Sequence, residues 1–277
     1  VTTAPVRLAR AAGAAAPASR SRLPAVIAVR VGAAAVVIAL WQAFAGGPHS
    51  VLPADAVSRP SSVAVALGHL AASGQLFSGL GATALSVLYS MVLGALVGIA
   101  LAVVTSTRPG RWLLDPLVTI LYGIPKVGMI SLYIIVLGIA TTTHVALVTS
   151  AVLFIYYYAM RQALDEVDAD RLVALRLMGA GRLRVLRSLV VMSALPQLLS
   201  ATRIALPLAF ATEIFAELQV PTSSGLGVSL QLFSENLDAS GAVAVMLFVV
   251  LVAYLLDVAV GGFLRRYQRS VGMGVDR

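Results

Sequence analysis

Residues 165–196 read DEVDADRLVALRLMGAGRLRVLRSLVVMSALP, a long charged passage with an apolar segment on either side. It carries Asp165, Glu166, Asp168 and Asp170, then Arg171, Arg176, Arg182, Arg184 and Arg187. That density of charge belongs in water. Asp168 is a residue type that caps a helix start, and Leu172, Leu175 and Met178 follow at helical spacing. Gly179-Ala180-Gly181 then supplies a stop. Beyond it Leu183, Leu186 and Leu189 or Val190 define a second apolar stripe with arginines opposite. Two short helices at an angle are predicted, with Gly179 at positive φ ending the first.

The rest of the chain is far oilier. Hydrophobic residues make up 59% of the 277 residues and charged ones 12%, with a mean hydropathy of +0.94. Soluble domains carry about 25% charged residues, so the class is a polytopic membrane protein. Cysteine is absent, which excludes disulfides and thiolate chemistry. His49, His69 and His144 are scattered without metal-ligand spacing, so no metal site is expected.

Six apolar spans are predicted, giving an all-α fold with six transmembrane helices. They cover about 26–45, 80–104, 113–139, 145–160, 195–218 and 243–264. Residues 1–24 are Ala-rich and lack apolar periodicity, and are expected to form a disordered cytoplasmic tail before a transmembrane domain over 25–277. A signal peptide is the rival reading of the first span. It fits less well, because signal cores run only ~7–15 apolar residues. Residues 46–79 and 219–240 are expected to be external segments, with a short amphipathic helix over 63–70, and 161–192 a cytoplasmic loop. In the second span Ser90, Gly94, Gly98 and Ala102 recur every fourth residue, which predicts a face for close helix packing. Asp257, near the inner end of the last span, is expected to pair with Arg265 or Arg266.

Arginine placement orients the spans. With both termini inside, sixteen arginines fall in inner segments against Arg59 outside. The basic charge therefore belongs to cytoplasmic loops and needs no nucleic-acid partner.

Catalytic motifs are missing. A P-loop needs Lys followed by Ser or Thr, and the single lysine, Lys126, precedes Val127. No HExxH, GxSxG or strand-bound GxGxxG occurs, so no catalytic residue, enzyme activity or cofactor is assigned. Uphill transport would need an ion gradient or a separate ATPase. An ion-gradient-driven transporter should show charged relays in several spans, and only Lys126, Arg203 and Glu213 qualify clearly.

Several short motifs, in order, resemble the permeases of bacterial ABC importers of the nitrate/sulfonate/taurine type. They are Ile124-Pro125-Lys126, Gly179, Ala194-Leu195-Pro196, Ala216-Glu217 and Gly225-Leu226-Gly227, and the resemblance covers roughly residues 52–267. Two positions depart from the family pattern, where Val173-Ala174-Leu175 stands for Glu-Ala-Ala and Val191-Met192 for Leu-Pro. The resemblance implies a type I importer architecture in a bacterial inner membrane. It also implies ATP-binding cassette subunits, an extracytoplasmic substrate-binding protein and a second permease chain, as homodimer or heterodimer. Asp168, Leu172, Val173, Ala174, Leu175, Met178, Gly179 and Leu183 would then form the contact with the ATPase.

Lys126 is the other candidate site. Eleven residues from Asp115 at ~1.5 Å each place it ~17 Å into a ~30 Å hydrocarbon core. A central lysine costs about 2.5–3.5 kcal/mol, so it should face a partner or a wet path rather than lipid. Pro125 has no N–H and frees the Leu121 carbonyl. Two readings stay open: Lys126 bonds the freed carbonyls or pairs with Glu213 or Glu217, or it lines the path and favours an anionic solute. Pro125, Lys126, Glu213 and Glu217 are the candidate path residues.

Overall fold

Long apolar segments have one low-energy form in lipid, a helix that satisfies its own backbone donors and acceptors. The computed structural model describes residues 22–45, 58–167, 173, 175, 177–181, 192–222 and 224–270, and every regular element among them is helical. In chain order these are α1 (Arg22–Phe44), α2 (Pro60–Ala72), α3 (Gln75–Thr105), α4 (Arg108–Gly123), a 3-10 turn (Lys126–Met129) and α5 (Ile130–Leu137). They continue with α6 (Thr141–Asp165), α7 (Met192–Gln219), α8 (Leu226–Glu235) and α9 (Ala239–Ser270). By length and composition α1, α3, α6, α7 and α9 can each cross a membrane, and α4 with the segment 126–137 makes a sixth candidate span when the bent pair is taken as one.

That sixth span is not the straight helix expected over 113–139. It bends by 89° between Gly123 and Lys126, because Pro125 cannot donate and the residue before it is driven to extended backbone. Distance along a single axis from Asp115 therefore stops being meaningful at Gly123. The two outer segments also hold more helix than expected. α2 is longer than 63–70, α3 already begins at Gln75, and α8 lies within 219–240. Residues 1–21 and 46–57, and with them most of the predicted tail, lie outside the described residues.

The middle of the molecule is α3 against α6 against α7. Val87 and Met91 of α3, Val148, Val152 and Tyr156 of α6, and Ala201, Ala205 and Phe210 of α7 form one buried cluster. Close approach is possible because α3 turns a small face to α6, where Ser90, Gly94, Gly98 and Ala102 are all buried. A second cluster joins α2, α3, α8 and α9 through Val63, Leu76, Leu226 and Val245. α1 stays outside this body, and none of its window 27–44 is buried. It is held at one end, where the Gln42 side chain accepts from Ser61 N at 3.2 Å and Arg59 donates to the Ala45 carbonyl at 3.0 Å. Both bonds satisfy backbone groups that a helix terminus leaves free.

Candidate functional site

Four places carry polar chemistry in this apolar frame. The first is the break in the third span. Lys126 Nζ donates to the carbonyls of Leu121, Ile124 (2.8 Å) and Tyr122 (3.4 Å), and lies 4.8 Å from the centroid of the Phe154 ring. The ammonium thus caps the carbonyl end of α4, where the helix dipole also favours a cation. Of the bonding partners open to Lys126, the freed carbonyls are the ones it takes. Glu213 and Glu217 are engaged elsewhere.

They form the second place, with residues that sequence reasoning missed. Glu213 and Glu217 are four apart on α7 and so share a face. Both are fully buried, at 0% and 2% exposure. One Glu217 oxygen accepts from the Thr83 hydroxyl at 2.7 Å, the other from Gly227 N at 2.6 Å, and Thr83 in turn accepts from Leu226 N at 3.0 Å. The glycines of Gly225-Leu226-Gly227 are there for space. A β-carbon at Gly225 would come within 2.5 Å of the Glu217 carboxylate, and one at Gly227 within 2.6 Å of the Ile214 carbonyl. Glu213 meets His144 Nδ1 at 3.2 Å, while His144 Nε2 lies 2.7 Å from the Val220 carbonyl. His144 carried no motif; only the packing of α6 on α7 brings it to Glu213. The i, i+4 spacing of the two glutamates was the one signal the sequence held.

The third place is the end of the helices where α3 turns into α4 and α6 stops. Tyr157 donates to Asp115 at 3.1 Å, and Arg161 donates to the Thr105 carbonyl at 2.6 Å and pairs with Asp165 at 3.8 Å. Arg111 lies 3.8 Å from Asp115 and 3.9 Å from Asp165. The exposed pairs contribute little stability singly. Together they tie the ends of α3, α4 and α6 around a cavity of about 610 Å³. Asp257 forms a two-pronged pair with Arg203 of α7 at 2.8 and 3.0 Å, a partner the sequence reading did not name. One helical turn on α9 reaches Arg203 across the helix contact, and a forked guanidinium matches both carboxylate oxygens.

The fourth place is the charged passage between α6 and α7. Val173, Leu175 and Leu177 are helical, and Gly179 has φ of +74°. Ala180 N donates to the Leu175 carbonyl at 3.0 Å, the closing bond of a Schellman-type helix end. Leu177 and Met178 are 83% and 71% exposed at its tip. Asp168, Leu172, Ala174 and Leu183 lie outside the described residues.

The taurine transport system permease protein TauC of Escherichia coli (strain K12) is 26% identical over 192 residues, covering 69% of this chain and 70% of its own. A Bacillus subtilis (strain 168) protein named as an aliphatic sulfonates transport permease, SsuC, is 24% identical over 238 residues, covering 86% and 84%. Among solved structures, the MetNI methionine ABC transporter in an inward-facing conformation superposes with a TM-score of 0.55 at 22% identity. It covers 69% of this chain and 94% of that one, a likeness of fold alone. The fold is that of type I ABC importer permeases, all-α and multi-pass in the inner membrane. Residues 93–272 match the family described as binding-protein-dependent transport system inner membrane component, and the chain belongs to that family of ABC importer permease subunits.

Proposed function

We propose that this chain forms the translocation path for a small anionic solute of the sulfonate type and is driven by a separate ATPase subunit docked on residues 161–192. The exposed apolar tip at Leu177 and Met178, closed by Gly179, carries the docking part. Large apolar side chains projecting from a charged passage gain most by burial in a partner's groove. Asp168, Leu172, Val173, Ala174, Leu175 and Leu183 belong to the same contact in this reading. The names of the two permease relatives support a sulfonate, and a second permease chain, identical or not, completes the path. The chain should purify with a nucleotide-binding subunit in about equal amount. Uptake by the reconstituted complex should need internal ATP and survive a protonophore. Uptake that runs on an ion gradient without ATP would replace this reading with that of a secondary transporter.

Orientation follows from the arginines, with both termini and the passage between α6 and α7 on the cytoplasmic side. The chain has no cysteine, so single cysteines give a clean test. At Ser62 of α2 and Ser234 of α8, both exposed, they should react with an impermeant thiol reagent added to intact cells. A cysteine at Ser106, in the turn between α3 and α4, should stay protected until the cells are opened. Labelling of Ser106 first would invert the topology.

Lys126 and Pro125 line the path at the break in this proposal. The half-buried ammonium is bonded to carbonyls and a ring face, so its charge is not cancelled by a carboxylate among the described residues. Lys126→Met should lower uptake per inserted molecule by about tenfold, the loss of roughly 1.4 kcal/mol of interaction with an anion. A lysine that only caps α4 would instead lower the melting temperature and leave the rate per molecule unchanged.

A further inference from the structure

We infer that the exposed face of α7 around Arg203, with Asp257 of α9 beside it, is a wall of the water-filled path and not a surface for lipid. The inference rests on the reading that this chain forms a translocation path, and it adds a second stretch of wall to the one at Lys126 and Pro125.

The pair lies deep in the spans. Within the candidate spans Ala194–Gln219 and Ala239–Leu264, Arg203 is nine residues from Ala194 and Asp257 seven from Leu264. At ~1.5 Å per residue these are depths of ~14 and ~10 Å, inside a hydrocarbon core of ~30 Å. The two side chains are nonetheless 47% and 34% exposed. An aspartate is too short to reach the interface from there, and the guanidinium is held to it by two prongs at 2.8 and 3.0 Å. The charges therefore stay at that level. Charged groups within a span face the protein interior or a wet cavity, because lipid solvates them poorly.

The backbone beside them has the same need. Pro207, four residues after Arg203 and inside α7, has no N–H for the Arg203 carbonyl, and it is exposed as well. Guanidinium, carboxylate and a freed carbonyl thus meet at one level. A freed carbonyl is tolerated in a span only where protein or water meets it.

Toward the start of α7 the polar character continues. Ser200 is exposed one turn away, and a turn further the Gln197 amide donates to Glu166, just past the end of α6, at 3.1 Å. A polar track therefore joins Arg203 to the end of the molecule from which the charged passage projects. Other exposed faces carry no such track. Leu88, Val92 and Leu96 of α3, and Val250, Leu251 and Leu255 of α9, present the oily surface that lipid requires. Asp257 sits at the edge of that α9 surface and reaches across to α7. A cation bonded to a carboxylate by both prongs keeps a wall wet without holding an anion tightly. A stretch that a solute must leave needs that property.

The chain has no cysteine, so single cysteines report the surroundings of each position. Ser200→Cys and Ile204→Cys on α7 are compared with Leu96→Cys on the oily face of α3, in the permease bound to its ATPase in nanodiscs. The probe is a charged quaternary-ammonium methanethiosulfonate, which attacks the thiolate that forms in water. Both α7 cysteines should react at least about tenfold faster than Leu96→Cys. Trapping with ATP and vanadate should change the rate at Ser200→Cys by at least about threefold, because a path opens and closes with the transport cycle. Rates equal to that of Leu96→Cys put the face in lipid and overturn the inference. Protected α7 cysteines that join two permease chains by a disulfide on oxidation assign the face to a dry contact with the second chain, which also overturns it. Fast reaction that ignores nucleotide marks a static wet crevice and overturns it too. These three outcomes leave the path reading standing as long as the wild-type complex takes up labelled ethanesulfonate or 2-aminoethanesulfonate on ATP. A wild-type complex that takes up neither overturns that reading and this inference with it.

Discussion

In the coupling role proposed for it, Gly179→Val should leave the permease in the membrane and cut uptake by roughly fivefold to thirtyfold. Gly179 holds φ at +74°, and a β-carbon there would meet nothing within 4 Å, so the penalty is purely conformational. Left-handed backbone costs an L-residue about 1–2 kcal/mol, and a β-branched one more, which shifts the turn toward other forms by roughly fivefold to thirtyfold. The bond from Ala180 to Leu175 is then lost, and Leu177 and Met178 no longer present one fixed tip to the proposed ATPase partner. Gly179→Asn is the control, because asparagine tolerates this conformation. Uptake per inserted molecule should survive in Asn and fall roughly fivefold to thirtyfold in Val. Equal transport by the two variants would remove Gly179 from the coupling contact.

Gly98→Ala should be the most destabilising single methyl group added to α3. Its β-carbon would overlap the Leu153 carbonyl and come within 3.0 Å of Tyr157 N, and backbone atoms cannot turn aside as a side chain can. α3 and α6 would have to part along the face where both are buried. Overpacking of this kind costs about 1–3 kcal/mol, and the rigidity of the struck atoms puts this position at the upper end. Gly94→Ala meets chiefly Val152 Cγ2 at 2.5 Å, a group that can rotate, so its effect should be smaller. Gly81→Ala, exposed on the same helix with nothing within 4 Å, should be silent. Melting temperatures in detergent should rank Gly98→Ala lowest, Gly94→Ala next and Gly81→Ala level with the parent. A Gly98→Ala protein as stable as the parent would show that α3 and α6 do not pack this closely.

Much of this molecule was legible one residue at a time. Composition, the lengths of the apolar runs and the small-residue period of α3 are local properties, and lipid restricts such segments to helices. Gly179 was legible for the same reason, since a helix stop is written in a few neighbouring residues. The family motifs were readable as an ordered set, although each is short.

What stayed hidden depends on which helices meet. Lys126 could be placed at a weak point in its helix from Pro125 alone, but the 89° turn and the Phe154 ring under its ammonium come from tertiary packing. The bond from Arg203 of α7 to Asp257 of α9 joins residues 54 apart in the chain. His144 stands 69 residues from Glu213 in the chain, and Thr83 stands 134 from Glu217. No sequence period links positions so far apart. The sequence by itself determined an all-helical, multi-pass permease with a charged passage between α6 and α7, because burial in lipid and helix termination are decided within a turn or two of chain. Only the tertiary structure decided where the buried charges pair, since that depends on the rotation and depth at which α3, α6 and α7 come together.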